Sequence, residues 1–95
     1  MRTEEEVIVV IDRNKGQLQA LYDRERRKSP GLKGKIVFEI SVAPEGSVTN
    51  VRIVSSELDH PVLERRLMAR IGSLVFKAGK VETVTVTFPI EFLPS

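Results

Sequence analysis

No cysteine occurs among the 95 residues, which excludes disulfides and thiolate metal centres but leaves the compartment open. Histidine is nearly absent too: His60 stands alone, with Asp59, Glu57 and Glu64 as neighbouring acids. One imidazole and a few carboxylates where a helix begins make a poor metal site, and the simpler reading is a polar residue at a capped helix start. No metal is expected. Aromatic residues number five (four Phe, one Tyr, no Trp), too few for the exposed stacking platforms of single-strand nucleic-acid binders. A net charge of +2 is far from a nucleic-acid-scale basic surface, so no nucleic-acid partner is expected. No apolar run approaches the roughly 20 residues that span a bilayer. The run Val7–Ile11 follows three glutamates instead of a basic segment, so it is not a signal peptide. Any membrane anchor is therefore expected outside this chain.

Catalytic signatures are missing as well. Ser55 and Ser56 have no histidine placed as a base by a recognisable motif. Neither a Gly-x-Ser-x-Gly elbow nor a phosphate-cradling glycine loop occurs. The chain reads as a non-enzyme without a cofactor. Its length suits one small domain, residues 1–95, with a single modest core.

What is present is strong periodicity. Thr3 and Glu6 fit a capping box, and the acidic run Glu4–Glu6 suits the positive end of a helix dipole. Ile8, Ile11, Leu18, Leu21 and Tyr22 fall on one helical face, predicting a helix from about Thr3 to Lys28. Five β-branched residues in Val7–Ile11 and the glycine at 16 weigh against continuity and leave a break between Asp12 and Gly16 as the alternative to one continuous helix. The basic run Arg24–Lys28, with Lys33 and Lys35 beyond it, suits the negative end of that helix; contact with an anionic membrane surface is the alternative. Ser29-Pro30-Gly31 ends the helix.

From Lys35 the period becomes two. Ile36, Phe38, Ile40 and Val42 share one face, Ala43-Pro44-Glu45-Gly46 turns the chain, and a return strand runs from about Ser47 to Ser55. Val51 and Ile53 belong to its core side, Asn50 and Arg52 to water. A second helix opens at Asp59-His60-Pro61 with Asp59 as its cap, carries the stripe Leu63, Leu67, Ile71 and Leu74, and ends at Gly72.

The last strand alternates most regularly: Val84, Val86, Phe88, Ile90 and Phe92 against Thr83, Thr85, Thr87, Pro89 and Glu91. Pro89 cannot donate a ladder hydrogen bond, so this strand belongs at a sheet edge. An unpaired edge is either blunted or used. Glu82 and Pro89 bracket the stretch Val84-Thr85-Val86-Thr87-Phe88, and both readings stay open: a protected edge, or a site where a partner's extended peptide adds a strand. If the Val86 N–H faces that partner, Val86→Pro abolishes the addition.

The order of these pieces resembles the C-terminal domain of TonB-family energy transducers, and more specifically the AgmX/PglI-type branch. The resemblance rests on Pro30, Leu32, Gly34, Lys35 and Ile36, on Gly46 and Val48 at the turn, and on Val84, Val86, Phe88, Pro89, Ile90 and Phe92. It implies an α+β fold in the order α-β-β-α-β, a three-stranded antiparallel sheet with two helices packed on one face. It also implies a periplasmic domain tethered to the inner membrane through an upstream segment and working with an ExbB/ExbD-type proton-driven motor. The implied partner is the TonB-box peptide of an outer-membrane TonB-dependent transporter, paired with Val84, Thr85, Val86, Thr87 and Phe88 so that force is transmitted through the added strand. The alternative is an envelope or motility scaffold domain that uses the fold for assembly, or forms a homodimer, without transporter coupling. Leu21 and Arg66 stand where the AgmX/PglI branch commonly carries cysteines, and Tyr22 is followed by Asp23 where transporter-coupled members carry a Tyr-Pro pair.

Overall fold

Apolar side chains at every second position force Ile36, Phe38, Ile40 and Val42 to one side of a strand, and all four are fully buried. That strand, β1 (Gly34–Val42), is the centre of the computed structural model, which describes residues 4–79 and 82–94. Along the chain come α1 (Glu4–Arg13), α2 (Lys15–Lys28), β1, β2 (Val48–Ser56), α3 (Pro61–Gly72) and β3 (Val84–Phe92). The antiparallel sheet has the order β2-β1-β3, with β3 at an edge as Pro89 predicts. Helices cover one sheet face: α1 packs on β3, α3 on β2, and α2 against α3. The architecture is the expected α+β arrangement, except that the first helix is two helices.

The single helix read from Thr3 to Lys28 is thus corrected to two, and the break, between Asp12 and Gly16, falls at Asn14. Its backbone (φ −102°, ψ 3°) leaves helical geometry, and its side-chain Nδ2 donates to the Val10 carbonyl at 2.8 Å. An asparagine amide that bonds nearby backbone competes with helix continuation in this way. The buried face also differs from expectation by one residue. Val7, Ile11, Leu18, Tyr22 and Glu25 point inward at spacings of four, seven, four and three, whereas Ile8 is 36% exposed and Leu21 half-buried. Because Val7–Ile11 is apolar all the way round, the hydrophobic pattern carries no phase there; packing on β3 selects Val7. Thr3 of the expected capping box lies outside the described residues.

Between α2 and α3 the buried Glu25 carboxylate accepts from Arg66 Nη1 at 2.6 Å, and its other oxygen lies 3.6 Å from His60 Nε2. Leu21 and Arg66 line one shallow groove between these helices, and the Glu25–Arg66 ion pair joins α2 to α3 beside it. His60 is also the α3 cap: its Nδ1 accepts the Leu63 N–H at 3.1 Å. This replaces the expected cap at Asp59. Asp59 lies one position too early and occupies the left-handed region at φ 48°. Pro61 takes the first helical position, as expected.

The hairpin turn is locked from outside. Gly46 (φ 96°) donates its N–H to the Ala43 carbonyl, and its own carbonyl accepts the Phe76 N–H at 2.8 Å. A Cβ at Gly46 would lie 2.0 Å from the Phe76 oxygen, so the position requires glycine. At the other end of the sheet, Tyr22 stacks on Phe92 with centroids 5.1 Å apart and donates its hydroxyl to the Leu32 carbonyl. Burial pushes this phenol above its ordinary 10.0, with Arg26 opposing the rise and Asp23 adding to it.

Candidate partner-binding edge

In an antiparallel ladder each residue sends its N–H and C=O to the same side, and successive residues alternate sides. Lys35 therefore fixes the phase of β1. Its carbonyl accepts the Glu57 N–H at 2.9 Å and its own N–H donates to Glu57 Oε1 at 2.7 Å, so Lys35 faces β2. Ile36, Phe38, Ile40 and Val42 then face β3. Pairing of β1 with β3 runs from Gly34↔Phe92 to Val42↔Val84 without a register shift. The residues of β3 opposite those four are Ile90, Phe88, Val86 and Val84, which direct their backbone groups to β1.

Thr85, Thr87, Pro89 and Glu91 consequently direct theirs away from the sheet. Pro89 agrees independently, because a residue with no N–H fits where that group would face outward. Among the described residues none takes up the outward N–H and C=O of Thr85 and Thr87. Their side chains lie on the open sheet face, where Thr85 Oγ1 meets Ser41 Oγ at 2.9 Å across a non-hydrogen-bonded pair.

The two edges of the sheet differ. Along β2 the register shifts twice, leaving Val54 and Thr49 as bulged residues with no opposite number on β1. Bulges bend and twist a strand, which spoils it as a template. Val75 also bridges to Ser47 at one end of β2. Nothing comparable interrupts β3, whose nine residues are straight in register. Of the five residues expected at the site, Val86 and Phe88 are buried and Val84 half-buried, while Thr85 and Thr87 are exposed. The structure thus divides the segment: two residues direct their backbone groups outward and three direct theirs to β1. Val86 does not meet the condition attached to Val86→Pro, since its N–H faces β1. Glu91 joins the outward set; its even separation from Pro89 was the available signal.

Other candidates fall elsewhere. His60 is occupied with capping and with Glu25. The basic run ends α2, where Arg26, Arg27 and Lys28 occupy the last turn. No group of three or more potential metal ligands occurs among the described residues, and no helix there is long and apolar enough to cross a membrane.

The family model for the C-terminal region of Gram-negative bacterial TonB proteins matches residues 24–94. The chain belongs to the TonB C-terminal family. Two solution NMR structures of the Helicobacter pylori TonB C-terminal domain, a shorter and a longer piece, have the same fold. The shorter is 21% identical with a TM-score of 0.56, over 81% of this chain and 89% of that one. The longer is 20% identical with a TM-score of 0.55, over 82% and 78%. No curated protein sequence matches. TonB C-terminal domains are periplasmic, non-enzymatic interaction domains, and the fold and family here are of that kind. The family match begins at residue 24, so it includes the last turn of α2 and omits α1.

Proposed function

We propose that this TonB-like domain binds an extended segment of an outer-membrane transporter or another envelope protein by adding it as a fourth strand beside β3. The observation that carries the reading is the asymmetry of the two edges: β3 is straight and unbulged, with Thr85 and Thr87 offering outward N–H and C=O groups, while β2 is bulged twice. Strand addition takes its affinity from backbone hydrogen bonds, so the partner's side chains need match only loosely. Pairing of this kind suits force transmission. A tether to the inner membrane through an upstream segment, and a proton-driven motor of ExbB/ExbD type, complete the energy-transducer reading.

Tyr22 followed by Asp23, in place of a Tyr-Pro pair, favours a second reading in which the same edge assembles an envelope or motility complex without transporter coupling. Titration with TonB-box-type peptides separates the two. Under the transducer reading the peptides perturb the Thr85 and Thr87 amides, and Thr87→Pro weakens binding about fivefold or more, the loss of one backbone hydrogen bond. Silence along β3 at millimolar peptide sinks transporter coupling.

A further inference from the structure

We infer that Pro89 is a built-in stop that restricts an added strand to the Thr85–Thr87 half of the β3 edge and prevents two copies of this chain from pairing along its whole length. The inference rests on the strand-addition reading and concerns the length and kind of partner. Outward positions recur at Thr85, Thr87, Pro89 and Glu91. Thr85 and Thr87 each supply a donor and an acceptor, so a partner strand gains four backbone hydrogen bonds there. At Pro89 the carbonyl can still accept, but no N–H exists to satisfy the partner carbonyl opposite it.

The deficit appears in either strand direction. An antiparallel partner loses the donor half of the pair at Pro89. A parallel partner loses the bond that its residue opposite Phe88 would accept from position 89. Glu91 lies beyond this gap and can be reached only by a strand that passes an unsatisfied carbonyl. Such a proline costs the native sheet nothing, because the ladder to β1 uses the other residues.

The chemistry fits a short extended peptide with about four to five paired residues, delivered by a separate flexible segment. It does not fit a long strand from a second folded copy. A copy's β3 would bring its own Pro89 to the interface and interrupt the pairing twice, which is how natural edges resist edge-to-edge association.

The probe is a synthetic ten-residue peptide of alternating threonine and valine with a lysine at each end, titrated into the labelled domain and into Pro89→Ala. Pro89→Ala changes an exposed side chain on the open face and should fold normally, which circular dichroism confirms. In the unaltered domain, peptide should slow amide exchange at Thr85 and Thr87 and leave Glu91 unchanged. In Pro89→Ala the protection should extend to the new amide at position 89 and to Glu91, with affinity rising about fivefold for each hydrogen bond gained. Self-association by sedimentation should likewise increase in Pro89→Ala. Equal protection of Thr87 and Glu91 in the unaltered domain, or an unchanged footprint in Pro89→Ala, overturns the stop while leaving strand addition intact. Loss of protection at Thr85 and Thr87 in both proteins overturns strand addition itself.

Discussion

Two proline substitutions one residue apart on β3 should have very different costs. At Thr87 the N–H points outward, the side chain is exposed, and Pro89 already occupies an equivalent outward position two residues on. Thr87→Pro therefore removes no ladder bond; its cost is the restriction of φ toward −65°, about 1 kcal/mol or less against the entropy removed from the unfolded chain. Val86 sits opposite Ile40, with its N–H directed at β1 and its side chain buried. Val86→Pro deletes that bond and strands a buried carbonyl, about 1–3 kcal/mol, and presses the ring toward β1, for a total of about 3 kcal/mol or more. Urea unfolding of the two variants, followed by far-UV circular dichroism, measures both costs. The alternation is refuted if Thr87→Pro destabilises as much as Val86→Pro, or if the order is reversed.

Gly46→Ala should cost at least about 2 kcal/mol, because its methyl collides with the Phe76 carbonyl at a positive φ; an unfolding midpoint indistinguishable from the parent's would contradict the turn geometry. Arg66→Ala leaves the buried Glu25 carboxylate without its shortest partner and should cost about 1.5–3 kcal/mol, discounted toward the lower end because Arg66 is half-exposed. Adding Glu25→Leu should recover part of that loss, since the buried charge is then gone; chemical denaturation of the single and double variants checks the coupling. Tyr22 is the chain's one tyrosine, so phenolate absorbance in the near ultraviolet reports it alone. Its midpoint should exceed 10.0, and because the folded state holds the proton more tightly, stability present below pH 10.0 should fall as pH rises through the folded value. A midpoint at or below 10.0 would contradict the buried phenol.

Much of the fold was legible because period two is hard to mistake. Ile36 to Val42 and Val84 to Phe92 announce strands, Pro44-Glu45-Gly46 announces the turn, and Pro89 places the last strand at an edge. The helix break was legible only as an interval, because Gly16 and the β-branched run weaken the helix around Asn14 without marking it. The choice of Val7 over Ile8 was not legible, since five consecutive apolar residues have no phase until β3 packs against them. Nor was the Glu25–Arg66 pair, which joins residues 41 apart through the packing of α2 on α3. The bulges at Thr49 and Val54 leave no mark in a sequence that reads as an even strand, yet they are what makes the two edges unequal. At the candidate site, residues 84–88 do form an edge segment, but hydrophobic alternation reports side chains and not backbone direction. Only the ladder to β1, or parity with Pro89, divides Thr85 and Thr87 from their neighbours.

Addition of a partner strand to the outward backbone groups of β3 can be read by residue-resolved amide exchange, with and without saturating partner peptide. In the free domain Thr85 and Thr87 should exchange fast and Val86 and Phe88 slowly; on binding, Thr85 and Thr87 should become protected while their neighbours change little. Fast exchange at Thr85 and Thr87 in a demonstrably bound complex would contradict it.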